Sequence, residues 1–188
     1  MRPRRRLSLV GWWSFCLGVA ACPPQAYAQA YLSPCIGGIT PDKPWRASGS
    51  APLFGLDIGM ELSRDWSAEL DLNGAPLSDR SGMGHTGLYG GALALVRVFN
   101  RPARLAPYLS LGLGLTHNDA SSQTGLEGHT EFMIQPGGGA LIGIWESADR
   151  SRRLALRPDI KVRWTHGWAH APGNPVDPLF GLGLTYGF

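Results

Sequence analysis

Residues 153–165 decide the fold, and they read RLALRPDIKVRWT. Polar and apolar side chains alternate along this stretch, which is the pattern of a β-strand with one apolar face and one polar face. The apolar face holds Leu154, Leu156, Ile160, Val162 and Trp164, and the other face holds Arg153, Arg157, Asp159, Lys161 and Arg163. Strands of soluble sandwiches are rarely this long. The stretch therefore predicts a single long β-strand with one apolar face and one polar face.

Similar alternation recurs along the chain on both sides of this stretch. The clearest segments lie at about 55–62, 66–72, 108–116 and 179–188, and less regular ones lie at about 31–39, 85–99 and 129–145. Together they predict eight strands, an even number that suits an antiparallel barrel. Pro158 is the one residue that disturbs the pattern of residues 153–165, and we expect it at a β-bulge because proline has no N–H to donate.

The connections between these strands alternate in length. Long connections are predicted at 40–51, 74–84, 118–128 and 166–177, and short ones at 63–65, 100–105 and 146–151. Short turns at one end and long loops at the other are typical of a transmembrane β-barrel, with the turns in the periplasm and four loops outside the cell. The sequence thus predicts an all-β fold, an eight-stranded antiparallel up-and-down transmembrane β-barrel.

Aromatic residues cluster near the predicted strand ends. We expect them to form two girdles at the membrane surfaces, where amphipathic rings are favoured. The girdle on the short-turn side would comprise Tyr31, Trp66, Phe99, Tyr108, Trp145 and Phe188, and the other would comprise Trp45, Trp164 and Trp168.

The first 28 residues have the features of an export signal. Four arginines precede residue 7, an apolar run from Leu7 to Cys22 follows, and Ala26-Tyr27-Ala28 matches a signal peptidase site. We therefore predict a signal peptide at 1–28, removed after Ala28, and a barrel domain at 29–188. A lipobox-like reading, in which Cys22 would be acylated, stays open. Cleavage after Ala28 leaves Cys35 as the one cysteine, which excludes a disulfide framework and a cysteine-ligated zinc site.

Removing the signal also changes the charge of the protein. The full chain carries 17 Lys+Arg and 14 Asp+Glu, a formal charge of +3, but four of the bases lie in the signal. The remaining chain is slightly acidic and has no outward basic stripe, so no nucleic-acid partner is expected. No phosphate-binding glycine loop precedes a helix, and no cofactor is expected.

The charged faces of the strands predict an ion-paired interior. Strand parity directs Asp57, Glu61, Glu69 and Asp71 inward as an acidic wall, opposite Arg153, Arg157, Lys161 and Arg163, with Asp159 beside them. An eight-stranded barrel is just wide enough for its side chains to fill it. Unpaired charge there would be costly, so we expect a salt-bridged plug with a closed lumen. A gated ion path is the alternative.

Several segments resemble one known family, the outer membrane protein A-like β-barrels of Gram-negative bacteria. They are the signal peptide, the strand beginning Pro107-Tyr108-Leu109, and the chain end FGLGLTYGF at 180–188. The resemblance implies a structural or surface-exposed outer-membrane protein, expected to be a monomer in contact with outer-membrane lipid and lipopolysaccharide. It also implies that Phe188, Tyr186 and Leu184 form the signal read by the barrel-assembly machinery.

A second group of small barrels raises an enzymatic alternative. Outer-membrane lipid A deacylases carry a His-x-Ser-Asn motif at the end of the seventh strand, and His166 stands at the matching place here. Trp168 and Ala169 replace the nucleophile and its neighbour, so the hydroxyl that such catalysis needs is missing from the motif. No metal site is expected, because solvated loop positions account best for His85, His117, His129, His166 and His170.

Overall fold

A computed structural model describes residues 29–40, 50–78, 85–119, 128–149, 151–166 and 176–188. They form eight antiparallel strands, each paired with its neighbours in the chain, and β1 pairs with β8 to close the barrel. The predicted fold class is therefore confirmed. The strands are β1 (Ala30–Ile39), β2 (Ala51–Glu61), β3 (Trp66–Ser78), β4 (His85–Val98), β5 (Leu105–Asp119), β6 (His129–Glu146), β7 (Arg153–His166) and β8 (Val176–Gly187). The described residues contain no helix that is long and apolar enough to cross a membrane.

The outer surface of the barrel is a belt of exposed apolar side chains. Leu93 is 71% exposed and Leu109 is 60% exposed, although a water-soluble protein would bury such residues. The belt includes members of every strand: Ile36, Ile58, Leu70, Leu93, Leu111, Ile144, Trp164 and Phe180. A continuous apolar surface of this kind around a closed barrel is the surface that faces lipid, so the barrel spans a membrane.

Pro158 does not lie at a register shift of the kind that the sequence predicted. The pairing of β7 with β8 runs through Pro158 and Leu182 without a shift. Between β6 and β7, Gly139 pairs with Asp159, and the next pair is Ile142 with Leu156. Pro158 lies in the gap between these two pairs, so its missing N–H interrupts no pair. The β-bulge lies further along, between Gly143 and Trp145.

One of the predicted long connections is also wrong. The segment 74–84 was expected to be a loop, but Gly74–Ser78 continue β3 and pair with residues 85–89 of β4. The apolar residues Ala75 and Leu77 are 3% and 1% exposed, because they pack with other apolar residues inside the barrel. The glycine and proline in this stretch suggested a loop, but burial of its apolar side chains extends the strand instead.

The turns between strands are held by local interactions. Asn100 begins the turn after β4 with a positive φ of 54°, a conformation that asparagine adopts more readily than most residues. In the turn after β6, Asp149 accepts hydrogen bonds from the Ser147 and Ser151 hydroxyls at 2.6 and 2.8 Å. These bonds lower the pKa of the exposed Asp149 carboxyl to about 2.

Several sequence predictions fall on residues outside the described ranges. They are the signal peptide at 1–28 with Cys22, the girdle residues Trp45 and Trp168, and the motif positions Ala169 and His170. Cys35 lies within β1 and is a half-buried free cysteine.

Candidate functional site

The centre of the barrel is crossed by an ion pair between opposite strands. Arg157 of β7 donates two parallel hydrogen bonds to Glu69 of β3, from Nη1 to Oε1 at 2.8 Å and from Nη2 to Oε2 at 2.9 Å. Arg157 is 2% exposed and Glu69 is 4% exposed. Two-pronged pairing of a guanidinium with a carboxylate is among the strongest ion-pair geometries. The pair therefore ties β3 to β7 across the lumen.

A second crossing lies beside the first and is made by a lysine. The Lys161 ammonium is 2.7 Å from Asp71 Oδ2, 3.5 Å from Asp57 Oδ1 and 3.8 Å from Asp159 Oδ2. Arg157 also lies 3.5 Å from Asp57. The acidic residues of β2 and β3 and the basic residues of β7 thus meet in the middle of the lumen, together with Asp159.

The four carboxylates of this cluster outnumber its two cations, and neutral donors supply further hydrogen bonds. The Gln135 amide donates to Asp71 at 2.7 Å, and the Asn73 amide donates to the other oxygen of Asp71 at 2.9 Å. The alternation rule did not single out either residue, because it was read for charged side chains alone. Gln135 and Asn73 do lie on the inner face of their strands, so the same rule applied to uncharged polar residues would have identified them.

Two tyrosines complete the cluster, and their placement corrects the predicted aromatic girdle. Tyr31 and Tyr108 point into the barrel and are 9% and 3% exposed. Tyr31 donates to Glu69 at 2.6 Å, and the Tyr108 hydroxyl accepts from Arg157 Nε at 2.9 Å while donating to Asp159 at 3.3 Å. The girdle prediction was wrong for these two residues because their hydroxyls meet buried charged groups.

The other girdle residues among the described ranges do face outward. Near the short-turn end, Trp66, Phe99, Trp145 and Phe188 are 39%, 37%, 51% and 53% exposed. Trp164, toward the opposite end of the barrel, is 48% exposed.

The two outermost charged residues of the predicted walls pair differently from the prediction. Glu61 was expected to face the basic wall of β7, but it forms a salt bridge with Arg101, a residue of the turn after β4. Arg101 also donates to Ser67 at 2.7 Å, and Arg153 of β7 reaches the carbonyl of Arg101 at 3.4 Å. Glu61 and Arg153 are only partly buried. No period-two pattern could find Arg101, because it lies in a turn that folds back under the barrel.

Further polar residues line the interior toward the other end. Arg163 is 0% exposed and donates to Asn73 Oδ1. Asp177 of β8 stands opposite Arg163 in the strand register and is also 0% exposed. Glu131 of β6 is buried as well. Asp177 escaped the sequence analysis because the eighth strand was taken to begin at 179.

An apolar cluster fills the same end of the interior on the side of β8 and β1 to β4. Its members are nearly inaccessible: Ile39, Ala51, Leu53, Ala75, Leu77, Leu88 and Leu179. At the opposite end a cavity of about 30 Å³ remains between Tyr31, Glu69, Arg101 and Arg157. A space of that size holds about one water molecule.

The chain end that resembles an assembly signal lies on the lipid-facing surface. Leu184, Tyr186 and Phe188 are all exposed, and the rings of Tyr186 and Phe188 stack with centroids 6.1 Å apart. The Phe188 amide donates to the carbonyl of Ala30, which fastens the chain end to β1.

His166 and its neighbour Thr165 lie on opposite faces of β7. His166 is the last residue of β7 and is exposed on the outer face, whereas the adjacent Thr165 is buried inside the barrel. His117 is exposed and hydrogen-bonded to Thr130 at 2.9 Å. Within the described ranges, no three His, Cys, Asp or Glu residues are grouped as a metal site.

The fold is shared with solved structures of small outer-membrane barrels. Neisserial surface protein A aligns with a TM-score of 0.65 at 13% identity, covering 83% of this chain and 95% of that one. The N-terminal β-barrel domain of OprF from Pseudomonas aeruginosa gives 0.57 at 18%, covering 86% and 98%. Ail, the attachment invasion locus protein of Yersinia pestis, gives 0.51 at 15%, covering 86% and 97%. No protein-family model and no curated protein sequence matches the chain. The chain thus has the fold of integral outer-membrane β-barrels, as the sequence resemblance implied.

Proposed function

We propose that the protein is an integral outer-membrane barrel with a closed lumen, which serves a structural or surface-exposed role. The observation that carries this proposal is the pair of crossings from β7 to β3, made by Arg157 and Lys161. In a barrel of eight strands the interior is narrow, and these side chains occupy its width. The function therefore depends on the outer surface and the ends of the barrel, and not on transport through its centre.

The energetics of the crossings argue against a gated ion path. Moving Arg157 aside would leave Glu69 without its cation inside the barrel, and breaking a buried pair in this way typically costs about 3–5 kcal/mol. Such a gate would also have to displace Lys161 from Asp71. The apolar cluster that includes Ile39, Leu77 and Leu179 is a further obstacle to a water-filled path.

The segments that join the strands at one end carry the proposed surface role. In this proposal residues 40–50, 79–84, 120–128 and 167–175 face the outside of the cell, and the three turns and the chain end face the periplasm. Contact with lipopolysaccharide or with a host would be made there. The signal at 1–28, the monomeric state and the recognition of Phe188, Tyr186 and Leu184 by the assembly machinery belong to the same proposal.

The similar structures are in keeping with this role. One is named a surface protein and another an attachment invasion locus protein. Neither name describes an enzyme. No reaction is proposed for the present chain, because Thr165, the hydroxyl residue next to His166, lies on the opposite face of the strand.

An epitope-tag experiment tests the orientation. A tag inserted at 121–126 should be detected by antibody on intact cells, whereas the same tag inserted in the turn at 147–152 should be detected only after the outer membrane is opened. The second insertion is the matched control, since both lie between strands. Detection of the turn tag alone on intact cells would reverse the orientation, and detection of neither in the outer-membrane fraction would refute the proposed location.

A further inference from the structure

Arg97 is a cation on the lipid-facing surface of β4. It is exposed, and the register places it between Trp66 of β3 and Leu109 of β5. The neighbours on its own face are Leu95 and Phe99, and both are exposed apolar residues. Arg97 is thus a charge set in an otherwise apolar part of the barrel wall.

The guanidinium of Arg97 lies against two aromatic rings. Its central carbon is 5.6 Å from the centroid of Trp66 and 5.1 Å from the centroid of Phe99. Trp66 is the first residue of β3, and Phe99 follows the last residue of β4. The side chain therefore extends toward the short-turn end of the barrel, where a membrane-spanning barrel meets the lipid headgroups. An arginine on the lipid face costs about 2–4 kcal/mol at the bilayer midplane and little near the interface.

The surroundings of Arg97 differ from those of the interior cations. Arg157, Lys161 and Arg101 each form an ion pair with a carboxylate. Among the described residues, no Asp or Glu lies within ion-pair distance of Arg97, and its guanidinium instead contacts the two neutral rings. A ring contact of this kind provides no carboxylate for the N–H groups of Arg97, and the planar guanidinium edge matches a phosphate with two hydrogen bonds.

We propose that Arg97, Trp66 and Phe99 form a binding site for the phosphate of an anionic phospholipid headgroup. The assignment to the phospholipid of the periplasmic leaflet, and not to lipopolysaccharide, rests on the proposed orientation, in which the short turns face the periplasm. The phosphate would accept hydrogen bonds from the Arg97 edge, while the two rings hold the guanidinium at the depth of the headgroups.

Native mass spectrometry of the protein purified from membranes tests this site. The probe is phosphatidylglycerol added in detergent, and the variants are Arg97→Gln, Arg97→Lys and the control Arg64→Gln. Arg64 is an exposed arginine of the turn after β2, at the same end of the barrel. We expect about tenfold lower retention of one phosphatidylglycerol in Arg97→Gln and retention like the wild type in Arg64→Gln. Arg97→Lys should show an intermediate loss, because an ammonium keeps the charge but lacks the planar pair of N–H groups that matches two phosphate oxygens.

Equal retention by the wild type and Arg97→Gln would overturn the site, and so would an equal loss in Arg64→Gln, since that would indicate general surface charge. Preferred retention of lipopolysaccharide over phosphatidylglycerol would overturn the leaflet assignment. Folding of each variant is checked by its altered gel mobility when it is not heated. If the wild-type protein retains phosphatidylglycerol through Arg97 but conducts ions, the closed lumen is refuted and the lipid site is not. Failure of the site can therefore be told apart from failure of the proposed function.

Discussion

Arg157 holds Glu69 through both of its terminal nitrogens, and the same guanidinium lies 4.7 Å from the Tyr108 ring centroid. At 2% exposure the guanidinium has little water to replace a lost partner. Removing one side chain of this pair should therefore cost far more stability than replacing both by apolar residues, because an unpaired buried charge is costly while an apolar pair is not.

Arg157→Ala should therefore lower the free energy of unfolding by about 3–5 kcal/mol, as expected when one partner of a buried ion pair is removed. The double variant Arg157→Met with Glu69→Leu should recover most of that loss. Urea unfolding in detergent micelles, followed by tryptophan fluorescence, measures both. Arg64→Ala is the control and should change stability by less than about 0.5 kcal/mol, since Arg64 is an exposed turn residue. A double variant no more stable than Arg157→Ala would contradict the direct pairing.

The alternation of side chains along each strand indicated which charged residues face the interior. It directed Asp57, Glu69, Asp71, Arg157 and Lys161 inward, and the structure places all five in the interior. It could not reveal which partners they take, because pairing depends on the depth of each side chain along the barrel axis. Arg101 illustrates the limit, since it enters the interior from a turn and meets Glu61.

At the scale of the elements, the alternating pattern in β7 predicted that strand within one residue of its observed end at His166. β3 was less predictable, because the strand passes through Gly74 and Pro76 before it ends at Ser78. Local propensity favours a loop there. The deciding contribution, burial of Leu77 in the apolar cluster, depends on residues of β1, β2, β4 and β8 that are distant in sequence.

β6 contains two glycines that differ in the space around them. A side chain at Gly139 would meet the carbonyl of Pro158 and come within 2.8 Å of the Tyr108 hydroxyl. At Gly143 the nearest atom would be the Arg104 carbonyl oxygen at 3.6 Å, an ordinary contact. Both residues lie on the same strand, so the comparison isolates the close approach.

Gly139→Ala should lower the free energy of unfolding by about 1–3 kcal/mol, because the added methyl group must push β7 or Tyr108 away. Gly143→Ala should change it by less than about 0.5 kcal/mol. The same urea titration in micelles compares the two variants. Equal stability of the two variants would show that the interior at Tyr108 is looser than the contacts indicate.

In the molecule as a whole, apolar side chains cover the outside of the barrel and charged side chains are buried inside it, the reverse of the arrangement in a soluble protein. Leucine and isoleucine cover the outer wall, while residues such as Asp57 and Arg163 are 1% and 0% exposed. The positive formal charge of the full chain belongs to the four arginines before residue 7 and not to the barrel. The small number of charges in the remaining chain has a structural cause as well, since half of each strand faces lipid and many of the charges that remain are paired in a narrow interior.

The conductance of the purified protein in planar lipid bilayers shows whether the paired interior closes the barrel. The comparison is the double variant Glu69→Ala with Arg157→Ala, which removes the Arg157–Glu69 crossing without leaving either of its charges behind and keeps the crossing from Lys161 to Asp71. We expect no stable conductance for the wild type and a higher frequency of openings for the double variant. Stable ohmic channels formed by the wild-type protein would show that the lumen is open.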